Sequence, residues 1–316
     1  MYTIRKISEI LNCKAAIECD FEMKEVSIDS RSVSRPETTL FFALQGANHD
    51  GHDYVGQLYD RGVRCFVVSE RRPEFARLGN ACFLEVGDTL EALQHLAQYH
   101  REHVRAEVVG ITGSNGKTVV KEWLYQLLAD EEKVYRSPRS YNSQVGVPLS
   151  LLGIEENIQT AIIEAGISKP GEMERLQRIR PEIGIFTHLG DAHGENFSSL
   201  QQKLEEKSVL FRDCQCVIGR AGESMQYIAS VVGPDAVVLT WGESGELPVK
   251  IQVKGIGLEG REVNVRYGQQ DFDLLIPFAD EASFENSMNA LCVLLYKNID
   301  PELIAERMRA LQPVAM

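Results

Sequence analysis

The sequence predicts an α/β protein with two units: a small α/β domain over residues 1–104 and a P-loop-type domain over residues 105–310. Three observations predict this fold class. From about residue 105, short apolar runs alternate with helical patterns, which is typical of a mostly parallel sheet covered by helices. A glycine-rich turn ending in Gly-Lys-Thr lies between one apolar run and a helix. The length of 316 residues is typical of about two domains.

Composition and charge narrow the class of protein. The net charge of −13 argues against a nucleic-acid partner, because such partners require a basic surface. The seven cysteines are scattered, and Met1–Lys6 lacks the apolar core of an export signal, so we expect reduced thiols and a cytoplasmic location. Cys214 and Cys216 lack a second ligand pair at zinc-site spacing, which favours a buried strand. No apolar run is long enough to cross a bilayer, so no membrane association is expected.

The first unit is predicted to mix short strands with helices, separated by a polar loop over residues 45–52. Its predicted elements are, in order, a helix over Ile4–Leu11, a strand entering a polar turn over Val26–Val33, a strand over Leu40–Leu44, a helix over Tyr54–Arg61, a strand over Cys65–Val68 and a helix from the cap residue Asp88 to His103.

The second unit repeats strand and helix and then changes character. Its strands are predicted near residues 106–111, 159–164, 183–187, 215–219 and 236–240. Alternating residues over 242–277 predict an antiparallel β-rich addition. Helices are predicted over Phe284–Leu295 and Pro301–Leu311, and residues 311–316 are interpreted as the start of a C-terminal domain that is absent.

The turn between the strand near 106–111 and the following helix is the strongest signal of function. Its sequence, Thr112–Thr118, reads Thr-Gly-Ser-Asn-Gly-Lys-Thr. Backbone N–H groups of such a turn and the helix N-terminus attract phosphate, while the lysine neutralises phosphates and the threonine can hold Mg²⁺. Ile111 stands where the usual pattern has glycine. The alternative is a chance Gly-Lys-Thr in a surface turn, which the strand and helix context disfavours.

Polar residues follow two further predicted strands. Glu164 ends an apolar strand, and a carboxylate at this sheet edge is placed to hold Mg²⁺. The alternative for Glu164 is an ordinary surface glutamate. His188 and His193 follow the strand near 183–187, where a histidine can be a metal ligand, an acid or base, or simply exposed.

A lysine occupies the apolar stripe of the next predicted helix. Ser198 or Ser199 can cap this helix, and Leu200, Leu204, Lys207 and Phe211 share one face. Lys207 either extends its ammonium group to water or is buried with a lowered pKa. A neutral lysine amine can take up CO₂ to form a carbamate, which is an anionic ligand suited to Mg²⁺. Spacing alone favours the solvent-directed lysine.

These motifs together resemble the Mur ligases, the ATP-dependent amide-forming enzymes of peptidoglycan synthesis, over essentially the whole chain. Thr112–Thr118 is similar to the family's ATP loop, and Tyr141–Leu149 is similar to its second signature, with Ser143 in place of a second asparagine. The resemblance also covers Glu164-Ala165-Gly166, Ala192-His193, Lys207 at the family's carbamylated-lysine position, Asp29-Ser30-Arg31, Leu40–Gly46 and Asp50-Gly51-His52. Two departures are His188, where many relatives have asparagine, and Gly194-Glu195-Asn196 after the histidine.

The resemblance implies a set of site residues. Catalytic roles are implied for Lys117, His193 and Lys207. ATP binding is implied for Thr112, Gly113, Ser114, Asn115, Gly116, Lys117, Thr118, Asn286 and Asn289. Binding of a UDP-sugar substrate is implied for Asp29, Ser30, Arg31, Gln45, Gly46 and Asn142. Two Mg²⁺ ions are implied, with Thr118, Glu164, His193 and carbamylated Lys207 as ligands.

The resemblance further implies a reaction. ATP would activate the carboxylate of UDP-N-acetylmuramoyl-tripeptide as an acyl phosphate, and D-alanyl-D-alanine would then displace phosphate. Two strings, Glu164–Glu172 and Gly190–His193, resemble ligases fused to an alanine racemase, which implies such a fusion partner. The alternatives are a diaminopimelate-adding or folylpolyglutamate-type amide ligase, and a nucleotide-binding fragment without turnover.

Overall fold

The computed structural model describes residues 2–13, 20–46, 48–190 and 196–314, which form two compact units, Met1–His103 and Val104–Met316. The first unit has a four-stranded parallel sheet in the order β1-β2-β3-β4. Its strands are β1 (Glu25–Ser27), β2 (Thr39–Phe42), β3 (Cys65–Val68) and β4 (Cys82–Glu85). Its helices are α1 (Ile4–Ile10), α2 (Val55–Asp60) and α3 (Thr89–His103).

Aromatic side chains pack the sheet of the first unit. All residues of β2 and β3 are buried, and the rings of Phe66 and Phe83 stack with 5.5 Å between centroids. Asp88 caps α3 as predicted, because its Oδ1 accepts the backbone N–H groups of Leu90 and Glu91 at 2.7 and 3.0 Å. The sequence analysis did not predict β4, and β1 is shorter than the strand predicted from residue 26.

The second unit contains a nine-stranded sheet in the order β13-β12-β11-β10-β9-β8-β5-β7-β6. Its strands are β5 (Glu107–Thr112), β6 (Val134–Arg136), β7 (Thr160–Glu164), β8 (Ile183–Phe186), β9 (Cys216–Arg220), β10 (Val237–Gly242), β11 (Val249–Gly257), β12 (Gly260–Tyr267) and β13 (Gln270–Ile276). The strands β5 to β11 pair in parallel, and β12 and β13 are antiparallel. The predicted β addition therefore continues the main sheet.

Seven α-helices lie within the described part of the second unit. They are α4 (Lys117–Leu128), α5 (Gly146–Leu152), α6 (Glu172–Leu176), α7 (Leu200–Ser208), α8 (Glu223–Val231), α9 (Glu281–Tyr296) and α10 (Pro301–Arg309). The core gathers Trp123, Ile162, Ile185, Trp241 and Leu291 between the sheet and the helices. Among the described residues, no helix combines the length and apolar character that crossing a membrane requires.

The order of strands locates the edge where a ligand would bind. The chain passes from β5 to β6 and back to β7 on one side of β5, and then crosses to β8 on the other side of β5. In open α/β sheets, ligands bind beyond the carboxyl ends of the strands at such a reversal. The residues that follow β5, β7 and β8 are therefore the candidates for a site.

The structure of α7 shows that one predicted core residue, Leu200, is exposed. Ser199 caps α7 by accepting the N–H of Gln202 at 3.1 Å, and Leu204 and Phe211 are buried. Leu200 was expected on the same apolar stripe, but 47% of its surface is exposed. As the first residue of the helix, it lies beside the exposed cap residue, where helix periodicity does not require burial.

Candidate active site

The turn after β5 has the backbone form of an anion-binding loop. Gly113 and Gly116 have φ angles of +147° and +83°, which favour glycine. A Cβ on Gly113 would lie 2.1 Å from Thr187 Oγ1, and one on Gly116 would lie 2.2 Å from Asn286 Oδ1. The N-terminus of α4 follows immediately at Lys117. Both glycines are thus required by the path of the loop.

The loop is also fixed to the end of β8. The N–H of Ser114 donates to His188 O at 2.7 Å, and Thr187 Oγ1 donates to Asn115 O at 2.5 Å. Ser114 Oγ donates to Gly190 O and accepts the N–H of Gly190, both at 2.9 Å. Ile111, the departure from the usual glycine, is a buried residue of β5 paired with Ile185. Its side chain belongs to the buried apolar core of the second unit.

Two lysine ammonium groups converge on one carbonyl oxygen of this loop. Lys117 Nζ donates to Gly113 O at 2.9 Å and to Ser114 O at 3.1 Å, and Lys207 Nζ donates to Gly113 O at 3.0 Å. Lys207 is 2% exposed, so the alternative of a solvent-directed lysine is wrong. Lys203, one turn earlier on α7, is also buried and donates to Gly190 O. Lys117 and Lys207 therefore hold the loop after β5, and Lys203 holds the segment after β8 to which that loop is bonded.

This crowding changes the acid–base chemistry of Lys207. Burial in the protein, followed by the positive charges of Lys117 and Lys203, lowers the pKa of Lys207 from 10.5 to about 7. Burial likewise lowers the pKa of Lys117, although the carboxylate of Glu164 acts in the opposite direction. Lys207 therefore holds a substantial fraction of neutral amine near neutral pH.

A buried carboxylate lies on the other side of the loop. Glu164, the last residue of β7, is 0% exposed, and its Oε2 accepts the hydroxyl of Thr118 at 3.2 Å. Its Oε1 lies 3.1 Å from the ammonium nitrogen of Lys121, an ionic contact whose angle is outside the range of a hydrogen bond. The alternative of a surface glutamate at this position is wrong, because the carboxylate is fully enclosed.

A cavity of about 260 Å³ opens beside the two lysines that contact the loop. Lys117, Lys207, Ser114, Asn142 and Glu172 are among the residues that line it. The carbonyl of Asn142 accepts the N–H of Gly166 at 2.7 Å, which ties the second predicted signature to the Glu164-Ala165-Gly166 segment. The structure thus brings Asn142, predicted as a substrate residue, into the same cavity as the loop lysines.

The two predicted asparagines of α9 differ in their surroundings. The side chain of Asn286 packs against Gly116 of the loop. Asn289 is fully buried, and its Oδ1 accepts the indole N–H of Trp241 at 2.8 Å. Of the two, only Asn286 contacts the loop, and the ATP-binding role of Asn289 stays a prediction.

The predicted substrate residues of the first unit follow the carboxyl ends of β1 and β2. Asp29 Oδ1 accepts the backbone N–H of Arg31 at 2.9 Å, and Oδ2 accepts Arg31 Nη2 at 2.8 Å. Ser30 offers its carbonyl to Arg61. Gln45 forms an isolated bridge with Asp50, and the N–H of Gly46 donates to His49 O at 2.8 Å. These two loops share one edge of the first sheet.

The predicted metal ligand His193 follows β8. His193 lies outside the described residues, as does the whole stretch 191–195. Two buried lysines, Lys121 and Lys203, were not predicted from the sequence. Lys121 is four residues from Lys117 on α4, and Lys203 is four residues from Lys207 on α7, a spacing that places the two lysines of each helix on one face.

Comparison with known proteins gives the family. The profile described as the Mur ligase middle domain matches residues 111–294, and the profile described as the Mur ligase family, catalytic domain, matches residues 22–101. The chain therefore belongs to the Mur ligase family. The first match covers the loop, the buried glutamate and the α7 lysines, so these features lie in the middle domain of a Mur ligase.

Two curated relatives carry the name UDP-N-acetylmuramoyl-tripeptide--D-alanyl-D-alanine ligase. The one from Borreliella burgdorferi is 39% identical over 190 residues, which are 58% of this chain and 41% of the relative. The one from Bacillus subtilis is 26% identical over 300 residues, which are 92% of this chain and 62% of the relative. The chain thus spans between two fifths and two thirds of the length of these relatives.

Two solved structures share the fold. MurF from Acinetobacter baumannii superposes with a TM-score of 0.89 at 23% identity, covering 99% of this chain and 69% of that one. The MurF ligase from Thermotoga maritima in complex with ADP superposes with a TM-score of 0.79 at 22% identity, covering 92% of this chain and 67% of that one. At these identities, the likeness establishes the fold.

Proposed function

We propose that this chain carries the substrate and ATP sites of a ligase that joins D-alanyl-D-alanine to UDP-N-acetylmuramoyl-tripeptide. The observation that carries the proposal is the convergence of Lys117, Lys207 and the Thr118–Glu164 pair around the loop after β5. The names of the two relatives support the choice of substrates. The first 104 residues would hold the UDP-sugar, with Asp29, Ser30, Arg31, Gln45 and Gly46 as its contacts.

The proposed reaction proceeds by phosphoryl transfer. The carboxylate of the tripeptide attacks the γ-phosphorus of ATP, and the bond to the β,γ-bridging oxygen breaks, releasing ADP and an acyl phosphate. The amine of D-alanyl-D-alanine then attacks the acyl carbon, loses a proton, and expels phosphate. Such chemistry depends mainly on positioning and charge neutralisation. Lys117 and the loop N–H groups would bind the phosphates, and Asn286 would contact the nucleotide beside Gly116.

The residues present fit magnesium. Mg²⁺ takes oxygen ligands, and Thr118 Oγ1 and Glu164 Oε2 lie 3.2 Å apart in a buried place, with Glu164 Oε1 lacking a hydrogen bond. Bound Mg²⁺ would neutralise phosphate charge during the transfer. Thr118 and Glu164 would hold one ion, and His193 and carbamylated Lys207 the second.

The carbamate of Lys207 is part of the proposal. The ammonium group would first lose one proton, and the neutral amine would then attack CO₂, forming a C–N bond while one C=O bond becomes C–O⁻ and a second proton is released, so that a buried cation becomes an anionic oxygen ligand. The lowered pKa of Lys207, caused first by burial, supplies the neutral amine that this step requires. Carbamylation would also relieve the repulsion among Lys117, Lys203 and Lys207.

The experiment that tests this function is a substrate comparison. The protein would be assayed as the 316-residue chain and together with any sequence that follows it, using ATP, Mg²⁺ and UDP-N-acetylmuramoyl-tripeptide. We expect phosphate release and a new amide, detected by mass spectrometry, with D-alanyl-D-alanine. Turnover only with diaminopimelate or glutamate would replace the proposal with a MurE-type or folate-type ligase.

The same assay tests the fragment hypothesis. We expect the 316-residue chain alone to bind ADP weakly and to turn over little, because the relatives are longer. Lys117→Met should abolish activity of the longer protein, whereas Lys133→Met, which removes an exposed lysine, should not. Full turnover by the 316-residue chain would contradict the expectation.

A further inference from the structure

We propose that Lys121 is a positioning residue that orients the metal-binding carboxylate of Glu164 and fixes the adjacent loop, residues 137–142, around the candidate site. This inference rests on the proposed function, because it concerns how Glu164 is presented to Mg²⁺. Lys121 lies on α4, four residues after Lys117 and three after Thr118, so the three residues share one helix face. It is 0% exposed.

The surroundings of the Lys121 ammonium group exclude a direct role in binding phosphate. Its Nζ donates to Ser137 O at 3.0 Å and to Arg139 O. It also lies 3.1 Å from Glu164 Oε1 and 3.2 Å from Glu122 Oε1. Two carboxylates and two carbonyl groups of the protein thus surround the ammonium group. A fully buried ammonium group in such surroundings acts on the protein rather than on a ligand.

The first consequence concerns the orientation of Glu164. Lys121 contacts Oε1, whereas Thr118 contacts Oε2. The carboxylate is therefore held between the two residues, with Oε2 directed toward the hydroxyl that would share the metal ion. Partners of this kind, which hold a metal ligand without touching the metal, typically change metal affinity or activity about 10–100-fold when removed.

The second consequence concerns the loop over residues 137–142. Arg139 has a φ of +48°, an unfavourable conformation for a residue other than glycine, and its carbonyl accepts from Lys121. At one end the loop contacts β7, since the N–H of Ser137 donates to Ile162 O at 2.9 Å. At the other end, Asn142 O accepts the N–H of Gly166 at 2.7 Å. Lys121 therefore links the path of this loop to the position of Glu164.

Binding of Mn²⁺ tests the inference without requiring turnover. The 316-residue chain would be titrated with Mn²⁺ in the presence of ADP, with free Mn²⁺ measured by electron paramagnetic resonance. We expect Lys121→Met to weaken Mn²⁺ binding about 10-fold or more. The matched control is Glu122→Gln, which removes the other carboxylate that contacts the Lys121 ammonium group and leaves Glu164 unchanged. Its affinity for Mn²⁺ should stay within about 2-fold of the wild-type affinity. Equal affinities of Lys121→Met and wild type would overturn the inference.

A stability cycle keeps the inference testable if Lys121→Met folds poorly. Removing Lys121 leaves Glu164 buried without its cation, which is strongly destabilising, and Glu164→Gln removes the stranded charge. Thermal unfolding of the two single variants and the double variant should therefore show that Glu164→Gln recovers part of the Tm lost in Lys121→Met. No recovery would show that the residues act independently. If the active protein of the substrate comparison also fails to bind Mn²⁺ with ADP while this coupling is present, the proposed function fails and the positioning of Glu164 stands.

Discussion

Two buried lysines near the loop after β5 have opposite surroundings. Lys121 on α4 is 0% exposed and faces the carboxylates of Glu122 and Glu164 within 3.2 Å. Lys207 on α7 is 2% exposed, donates to a carbonyl group, and is repelled by Lys117 and Lys203. Nearly equal burial therefore accompanies different chemistry, because the neighbouring charges differ.

The comparison suggests that Lys121 on α4 and Lys207 on α7 have different functions. On the α4 side, cation and carboxylates compensate each other, so the geometry is fixed. On the α7 side, burial and the positive charges of Lys117 and Lys203 act together on Lys207, and its pKa falls to about 7. The first arrangement suits positioning, and the second favours loss of a proton, as the proposed carbamate of Lys207 requires.

The largest expected effect comes from removing the reactive lysine. In the active protein, Lys207→Ala should lower kcat by at least about 100-fold, since loss of the proposed ligand should exceed the effect of losing a supporting partner. Added acetate or formate should restore part of the activity by placing a carboxylate where the carbamate would lie. The measurement is phosphate release with and without the short carboxylate.

A variant on the same helix separates chemistry from packing. Gln201 is exposed on α7, so Gln201→Ala should leave both activity and the response to acetate unchanged. If Lys207→Ala retained wild-type activity, the different functions inferred for Lys121 and Lys207 would be wrong, and Lys207 would be a packing residue.

A smaller effect concerns stability against pH. Lys207 has a pKa of about 7 in the folded protein and an ordinary value of 10.5 when unfolded. Between these values the unfolded chain binds more protons, so the free energy of unfolding rises with pH through this window. In CO₂-free buffer, Lys207→Met should therefore be more stable than wild type at pH 7, on the order of 1–3 kcal/mol, and the difference should shrink toward pH 10.

Chemical denaturation at pH 7, 8.5 and 10 measures this difference. Lys203→Gln is measured as a second variant. Removing one repelling charge should raise the pKa of Lys207, so the stability should begin to rise at a higher pH than in the wild type. A stability difference between wild type and Lys207→Met that grows with pH would have the wrong sign and would contradict the proposed origin of the lowered pKa.

Parts of this site could be predicted because their signals are local. The apolar run of β5, the glycine turn and α4 follow one another directly in the chain, and Glu164 stands at the end of an apolar run. The inward direction of Lys207 follows from helix periodicity, although its protonation does not. That property depends on Lys117 and Lys203, whose approach is set by the packing of α7 against the loop.

Other parts could not be predicted because they depend on distant partners or weak patterns. A lysine in a helix usually extends to water, so the pairing of Lys121 with Glu164 follows only from how β7 and α4 pack. The strands Val134–Arg136 and Cys82–Glu85 are three and four residues long, too short to show a period. Leu200 fits the predicted apolar face of α7, but in the structure the buried part of that face does not extend to the first turn of the helix.

The smallest expected effect comes from an ion pair in the first unit, which extends the comparison of buried charges to a pair that is exposed to water. Hydrogen bonds from Arg31 lower the pKa of Asp29 from 3.8 to about 2. This pair adds stability that is complete above pH 3.8 and is lost as the pH falls toward 2. Because both side chains are more than one third exposed, Arg31→Ala should change the stability at pH 7 only slightly. A carbon-13 titration of the Asp29 carboxyl should show its pKa returning toward 3.8, and an unchanged pKa would mean that solvent, not Arg31, sets its charge.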